Sequence, residues 1–306
     1  VSTVSVVVPT YRREALLCQA LEDLLGLARP DDEIIVVDQT PRHAPETAAY
    51  LARIRSRIVY LRQAQPSVVA AANRGLATAR GEVVVFVDDD VRIPDRDFLA
   101  AHVANYDDPS VGGVAGRVLD AADPRPGPFD PRAMDPVWGF FSTRWDHDQR
   151  VEVTTAPGAN MSFRRKLVLA LGGFDERFVG NAFRWENDFC LRLRAAGYRV
   201  LFDPRPTVLH AYGSPGGNEN RHLFGRAPES HAWYRAFFQN HLYVTLKHGP
   251  RRVLPRLLWR LWRGHVLNRP YAREGVGFLW ARHRAFVEGL VGGLAAYRAW
   301  RREQGR

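Results

Sequence analysis

The chain has 306 residues, 46% hydrophobic and 25% charged, enough for one large or two smaller globular domains with a real core. Its two cysteines, Cys18 and Cys190, stand in no CxxC spacing, which argues against a zinc site or a disulfide scaffold and suits a reducing compartment. The net charge of +10 belongs to the tail: 14 Lys and Arg against 3 Asp and Glu lie between Lys247 and Arg306, leaving the rest near neutral.

In chain order, Val4–Val8 is a β-branched run ended by Pro9 and is predicted as a buried strand. Residues 14–27 carry Leu16, Leu17, Ala20, Leu21, Leu24 and Leu25 at helical spacing. A second buried strand is expected over Glu33–Val37, a helix over Pro45–Arg55, a short strand over Arg57–Leu61 and a helix over Ser67–Ala79. Val83–Val87 follows as a strand and runs into Asp88, Asp89 and Asp90. Alternating strands and helices imply a mainly parallel sheet covered on both faces, an α/β fold.

Beyond residue 105 the pattern loosens. Val111–Leu119 reads as a strand, and Asp120–Pro136, with five prolines, as a loop. Arg164–Leu171 and Asp188–Ala196 read as helices, Arg199–Phe202 and Thr207–Leu209 as short strands, and the Gly, Pro and Asn-rich Gly213–Glu229 as a lid. A helical, basic and aromatic region begins at His231. Leu254, Leu257, Leu258, Leu261 and Trp262 fall on one helical face there, with Arg256, Arg260 and Arg263 on the other. The apolar Gly289–Ala296 is far short of the about 18 to 20 residues that span a bilayer and is flanked by Glu288 and Arg298. The chain enters its first strand with no leader-like segment, so a cytoplasmic protein is expected.

The aspartate triplet carries the most chemistry. Three carboxylates leaving a buried strand at its carboxyl end sit where open α/β sheets bind ligands. Such charge at the lip of an apolar core needs a positive partner, and a divalent ion holding a phosphate or diphosphate supplies one. Pro9, Thr10, Tyr11 and Arg13 end the first strand and Asp38 the second, an arrangement that suits a nucleobase. A strand terminator and a helix cap explain those residues equally well. Arg74 suits a phosphate and Gly75 a close approach, against a solvated helix face. Glu186 and Asp188 near a helix start fit either the helix dipole or proton removal from a substrate hydroxyl. His210, after Val208 and Leu209, fits a satisfied core histidine or a ligand.

Six segments in order, VSVVVPTYRR, EIIVVD, AANRGLATARGEVVVFVDDD, PGANMSFRRKLVLALGGFDERF, WENDFCLRLRAAGYRV and FDPRPTVLHAYG, resemble family 2 glycosyltransferases over some four fifths of the chain. The resemblance implies a GT-A fold, with a catalytic domain over residues 1–235 (a nucleotide-sugar half, 1–105, and an acceptor half, 106–235) and a helical Arg/Trp-rich extension over 236–306. It implies a nucleoside pocket of Pro9, Thr10, Tyr11, Arg13 and Asp38, with Asn73 and Arg74 flanking base or diphosphate. Asp90 is implied on the metal, Mn²⁺ or Mg²⁺, Asp88 on metal or ribose, and His210 on metal or diphosphate, while Asp89 is placed with the donor-binding residues or is only a spacer. Gly158, Asn160 and Met161 are implied as the floor near donor sugar and acceptor.

Two departures stand out. Relatives often follow the base-binding aspartate with Asp-Gly-Ser or Asn-Gly-Ser, where this chain has Gln39-Thr40-Pro41. They also often read Glu-Asp-x-Asp where this chain has Trp185-Glu186-Asn187-Asp188, so Glu186 takes the general-base position, Asp188 is the second candidate, and Trp185 becomes a possible sugar platform. The expectation is therefore an inverting, metal-dependent transferase moving a sugar, UDP-linked by preference, to an acceptor hydroxyl in cell-surface polysaccharide or glycolipid assembly. A nucleotidyltransferase or a non-catalytic sugar-nucleotide or polysaccharide-binding module are the alternatives. The tail is expected either to cap the catalytic domain or to touch an anionic membrane at the inner face of the plasma membrane. No nucleic-acid recognition module is visible.

Overall fold

A computed structural model describes residues 2–129, 144–180, 182–211, 230–267 and 272–305. The apolar runs predicted as strands become β1 (Val4–Thr10), β2 (Glu33–Asp38), β3 (Val59–Arg62) and β4 (Val83–Val87). They pair in parallel, in the order β3-β2-β1-β4. Helices α1 (Ala15–Leu27), α2 (Pro45–Arg53) and α3 (Val68–Thr78) connect them. Leu17, Ala20, Leu21 and Leu24 form the buried stripe of α1. Ser67 caps α3 by accepting from the Ala70 N–H at 3.2 Å. The close approach expected at Gly75 is to the sheet, not to a phosphate: a Cβ there would lie 2.3 Å from Val7 Cγ1.

The second half extends the same sheet with β5 (Val91–Arg92), β6 (Val111–Asp120), β7 (Val151–Val153), β8 (Asn160–Arg164) and β9 (Arg199–His210), joined by α4 (Phe98–Val103), α5 (Arg165–Ala170) and α6 (Trp185–Ala195). Strand β8 is antiparallel to both β4 and β6, so it joins the two halves into one nine-stranded sheet. It was not expected as a strand because Asn160 and Ser162 break its apolar run. Both are buried and hydrogen-bonded to groups from elsewhere in the chain, with Ser162 Oγ 2.9 Å from His102 Nδ1 and 2.8 Å from the Tyr106 hydroxyl. The two short strands expected near residue 200 are one strand, β9. Its register against β6 skips from Asp203 to Thr207, across Pro204 and Pro206, where no proline N–H is available for the ladder.

Beyond the sheet run α7 (Ser230–His248), α8 (Leu254–His265) and α9 (Val276–Gln304). Trp233, Tyr234, Phe237, Phe238 and Tyr243 of α7 share one apolar core with β4, β6 and β8. The border expected between residues 235 and 236 thus falls inside a continuous helix that belongs to the main core. Helix α6 begins three residues before its expected start, at Trp185. The expected lid, Gly213–Glu229, lies outside the described residues, as does the end of the proline-rich loop. Among the described residues no helix is long and apolar enough to cross a membrane.

Candidate active site

Parallel pairing aligns Thr10 with Asp38, so the carboxyl ends of β1 and β2 open side by side, with β4 delivering Asp88–Asp90 next to them. The β5–β9 pair sets His210 opposite Val91, the residue after the triplet, and the Ala211 N–H donates to the Asp90 carbonyl at 2.9 Å. Asp88, Asp90 and His210 therefore converge, although 120 residues of chain separate them, and one ligand atom from each lies within 4.8 Å of the others. His210 Nε2 is 3.5 Å from Asp88 Oδ2 and 3.3 Å from Asp90 Oδ1. Two carboxylates and an imidazole form a donor set that suits Mn²⁺ better than Mg²⁺, which prefers oxygen alone.

The counter-charge that the triplet requires comes partly from Arg13. Its Nη2 donates to Asp90 at 2.8 Å and its Nε lies 3.4 Å from Asp89. Arg13, expected in the nucleoside pocket, is buried and turned onto the aspartates. Asp89 is no mere spacer: burial, with Asp90 beside it, pushes its carboxyl up to about 7 against the pull of Arg13.

Asp38 is fully buried, and its oxygens are already engaged. Oδ1 accepts from the Thr40 N–H at 2.8 Å, while Oδ2 accepts from Arg62 at 2.7 Å and from the Tyr60 hydroxyl, with His43 Nε2 at 2.9 Å. Burial opposes its ionisation, but Tyr60, Thr40 and His43 hold it below the usual carboxylate range. A base N–H would have to displace one of these donors. Sequence reasoning missed His43, Tyr60 and Arg62, none of which belongs to a motif. The Gln39-Thr40-Pro41 departure is also explained. Gln39 Oε1 accepts from Ser67 N at 2.6 Å, Thr40 Oγ1 from Arg12 N at 2.8 Å and the Pro41 carbonyl from Arg62 at 3.1 Å, lacing together the loops after β1, β2 and β3. Pro9 and Tyr11 are half-buried at this mouth, beside the buried Thr10 and the exposed Arg12, the latter in the left-handed region at φ 53°.

Several expected ligand contacts are structural instead. Asn73 donates to the Phe174 carbonyl at 2.9 Å and to Glu176 at 2.8 Å and accepts from the Phe174 N–H at 2.8 Å, so its amide brackets α3 to a distant turn rather than a base. Arg74 is exposed and donates to the Arg62 carbonyl. Asn160 and Met161 are fully buried, and Asn160 donates to the Arg117 and Pro206 carbonyls, both at 2.9 Å, so neither forms an open floor. Gly158 is half-buried, and the Trp185 indole lies beneath it, 3.7 Å from where a Cβ would stand. Trp185 is not a platform: its ring is wedged edge-on against Phe174 and Phe86, with centroids at 4.7 and 6.5 Å.

Asp188 is corrected as well. It is fully buried among Lys247 at 2.7 Å, His248 at 2.8 Å and Arg192 at 3.0 Å. Burial opposes its charge, yet His248, Lys247 and Arg192 hold its carboxyl well below the usual range. Lys247 also reaches Asp175 at 2.7 Å. Arg192 is one turn on along α6, but Lys247 and His248 lie about sixty residues away on α7, and no local pattern announces them. Glu186, on the first turn of α6, is half-buried. The Asp88 N–H points to the Ala159 carbonyl at 3.5 Å and Gly158 lies over Trp185, so the turn before β8 connects the aspartates to the start of α6.

The family model described as Glycosyl transferase family 2 matches residues 5–172. The chain belongs to that family. Among curated relatives, an O-antigen biosynthesis protein RfbC of Myxococcus xanthus is 30% identical over 68% of this chain and 17% of its own length. The probable glycosyltransferase YdaM of Bacillus subtilis is 28% identical over 66% and 49%. The chain thus spans half or less of the length of these relatives. Among solved structures, the mannosyltransferase PcManGT of Pyrobaculum calidifontis, in complex with GDP-Man and Mn²⁺, aligns at a TM-score of 0.54 with 23% identity, covering 97% of this chain and 74% of that one. TarS 1-349 of S. aureus aligns at 0.56 with 16% identity, covering 99% and 92%. The fold of this family member is GT-A.

Proposed function

We infer that this family member transfers a sugar from a nucleoside-diphosphate donor to an acceptor hydroxyl with inversion, and that Asp88, Asp90 and His210 hold a divalent ion beside the donor. The observation that carries this reading is the convergence of those three side chains at the carboxyl end of β4. When bound, the ion would neutralise the diphosphate as it leaves. Two structural neighbours support the choice of Mn²⁺, since PcManGT carries GDP-Man and Mn²⁺ and GalNAc-T7 carries UDP, GalNAc and Mn²⁺. A UDP-sugar is the first donor to test.

In this reading Arg13 restrains Asp89 and Asp90, Tyr11 and Pro9 border the nucleoside, and Arg62 presents its half-exposed guanidinium at the base side of Asp38. Glu186 takes the proton from the acceptor oxygen, which attacks the anomeric carbon opposite the diphosphate. Cell-surface polysaccharide or lipid-linked sugar is the acceptor class, in line with the O-antigen relative. Incubation with UDP-, GDP- and dTDP-sugars plus Mn²⁺, read by mass spectrometry for slow donor hydrolysis, tests the reading. One donor consumed only with metal is the expected result. No hydrolysis of any donor, with Mn²⁺ binding absent, would sink it.

A further inference from the structure

Helix α9 has two unlike faces. The inner one packs Ala285, Phe286, Gly289 and Gly293 against α7, where a Cβ on Gly289 would lie 2.7 Å from the Arg235 carbonyl and one on Gly293 2.8 Å from that of Gln239. Backbones this close leave α9 no freedom to rotate, so its outer face is fixed. That face carries Val276, Trp280, Val287, Val291 and Leu294, which are 83, 67, 46, 66 and 38% exposed. Their spacing keeps them on one line along the helix. The line continues onto α8 through a chain of rings: Trp280 to His283 at 6.0 Å between centroids, His283 Nδ1 to Trp262 Nε1 at 3.3 Å, and Trp262 to Trp259 at 5.7 Å. Trp259 is 59% exposed.

Basic side chains border this stripe. Arg256 and Arg263 stand beside Trp259 on the exposed side of α8, and Arg298, Arg301 and Arg302 lie at the far end of α9. Contiguous exposed apolar surface marks a contact site. Its charge decides the occupant. A second copy would bring the same excess of 14 basic over 3 acidic residues against itself, whereas an anionic surface meets it with opposite charge. Tryptophans beside arginines on helices too polar to span are the chemistry of the lipid headgroup layer.

We propose that the outer stripe of α9, continued by Trp259 of α8, docks this protein onto the surface of an anionic lipid bilayer, with the helix lying in the headgroup plane. This does not depend on the sugar chemistry. The test is flotation of the full chain with phosphatidylcholine vesicles, with and without phosphatidylglycerol. Binding is expected only with the anionic lipid and should weaken as salt is raised. The double variant Val287→Glu/Val291→Glu should lower partitioning by about ten-fold or more, and Trp280→Ala by less, each with unchanged melting temperature and unchanged donor hydrolysis in lipid-free solution. All these side chains are exposed, so folding should survive. Indifference to lipid charge, or variants that float like the wild type, would overturn the proposal. So would a wild-type dimer in light scattering that Val287→Glu/Val291→Glu dissociates. Hydrolysis without lipid reports on the transferase reading separately, so the two can fail independently.

Discussion

Two acidic clusters, a hundred residues apart in sequence, answer the same problem of buried carboxylates in opposite ways. At the end of β4, Asp88 keeps 39% of its side chain in water and shares His210 with Asp90, while Arg13 pairs the other two aspartates. Under α6, Asp188 and Asp175 are closed in by Lys247, His248, Arg192, Arg177 and Tyr243, and Lys247 bridges the two. A cluster open on one side with convergent ligand atoms can take up a cation, whereas one already ringed by the chain's own donors can only hold helices together. Motif position alone would have put both in the chemistry.

The sharpest way to break that contrast is to neutralise one aspartate from each side. Asp90→Asn should abolish Mn²⁺ binding and bring sugar transfer below detection, with a smaller loss of melting temperature than Asp188→Asn because Arg13 keeps Asp89 as a partner, as calorimetry and turnover would show. Glu186→Gln should lower turnover by about 10²- to 10⁴-fold with nucleotide-sugar affinity retained. Near wild-type transfer would remove Glu186 from the mechanism. Asp188→Asn should act on the fold. It leaves Lys247, His248 and Arg192 facing an uncharged group, at a cost of about 3–5 kcal/mol in chemical denaturation. Gly293→Val should push α9 off α7 and cost about 1–3 kcal/mol in the same measurement, without touching Mn²⁺ binding.

Titration should separate the clusters by sign. With metal chelated, Asp89 has a folded-state value raised to about 7, so its contribution to stability is complete below pH 4 and is lost as pH rises through 7. Asp188 is depressed, so its contribution is present above the ordinary carboxylate range and is lost in acid. Asp89→Asn should flatten the neutral slope and Asp188→Asn the acid one, as read from thermal melts across pH.

The parallel half was legible because β1, β2 and β4 are buried on both faces and read as unbroken apolar runs. The mixed half was not: β8 spends Asn160 and Ser162 on a buried polar network, and β9 breaks its ladder at two prolines. The triplet and His210, which the structure brings together, could be singled out because their motif neighbours are local. Asn73, Asn160, Trp185 and Asp188 were misplaced because each spends its polar or aromatic surface on partners distant in sequence: Phe174, Arg117, Phe86 and Lys247. The donors around Asp38 were missed for the same reason, since His43 comes from the loop after β2 and Tyr60 and Arg62 from strand β3, with no shared motif.

Lys247 carries one more implication, for anyone trimming this chain. It is the single lysine of α7, its ammonium joins Asp175 to Asp188, the Trp300 ring of α9 lies 5.3 Å away, and α9 adds a clasp from Glu303 to Arg177. A truncation at the expected border near residue 235 would leave every motif intact on paper and still pull the keystone from beneath the helix that presents Glu186. The resulting dead protein would report a missing arch-stone, not a missing catalyst.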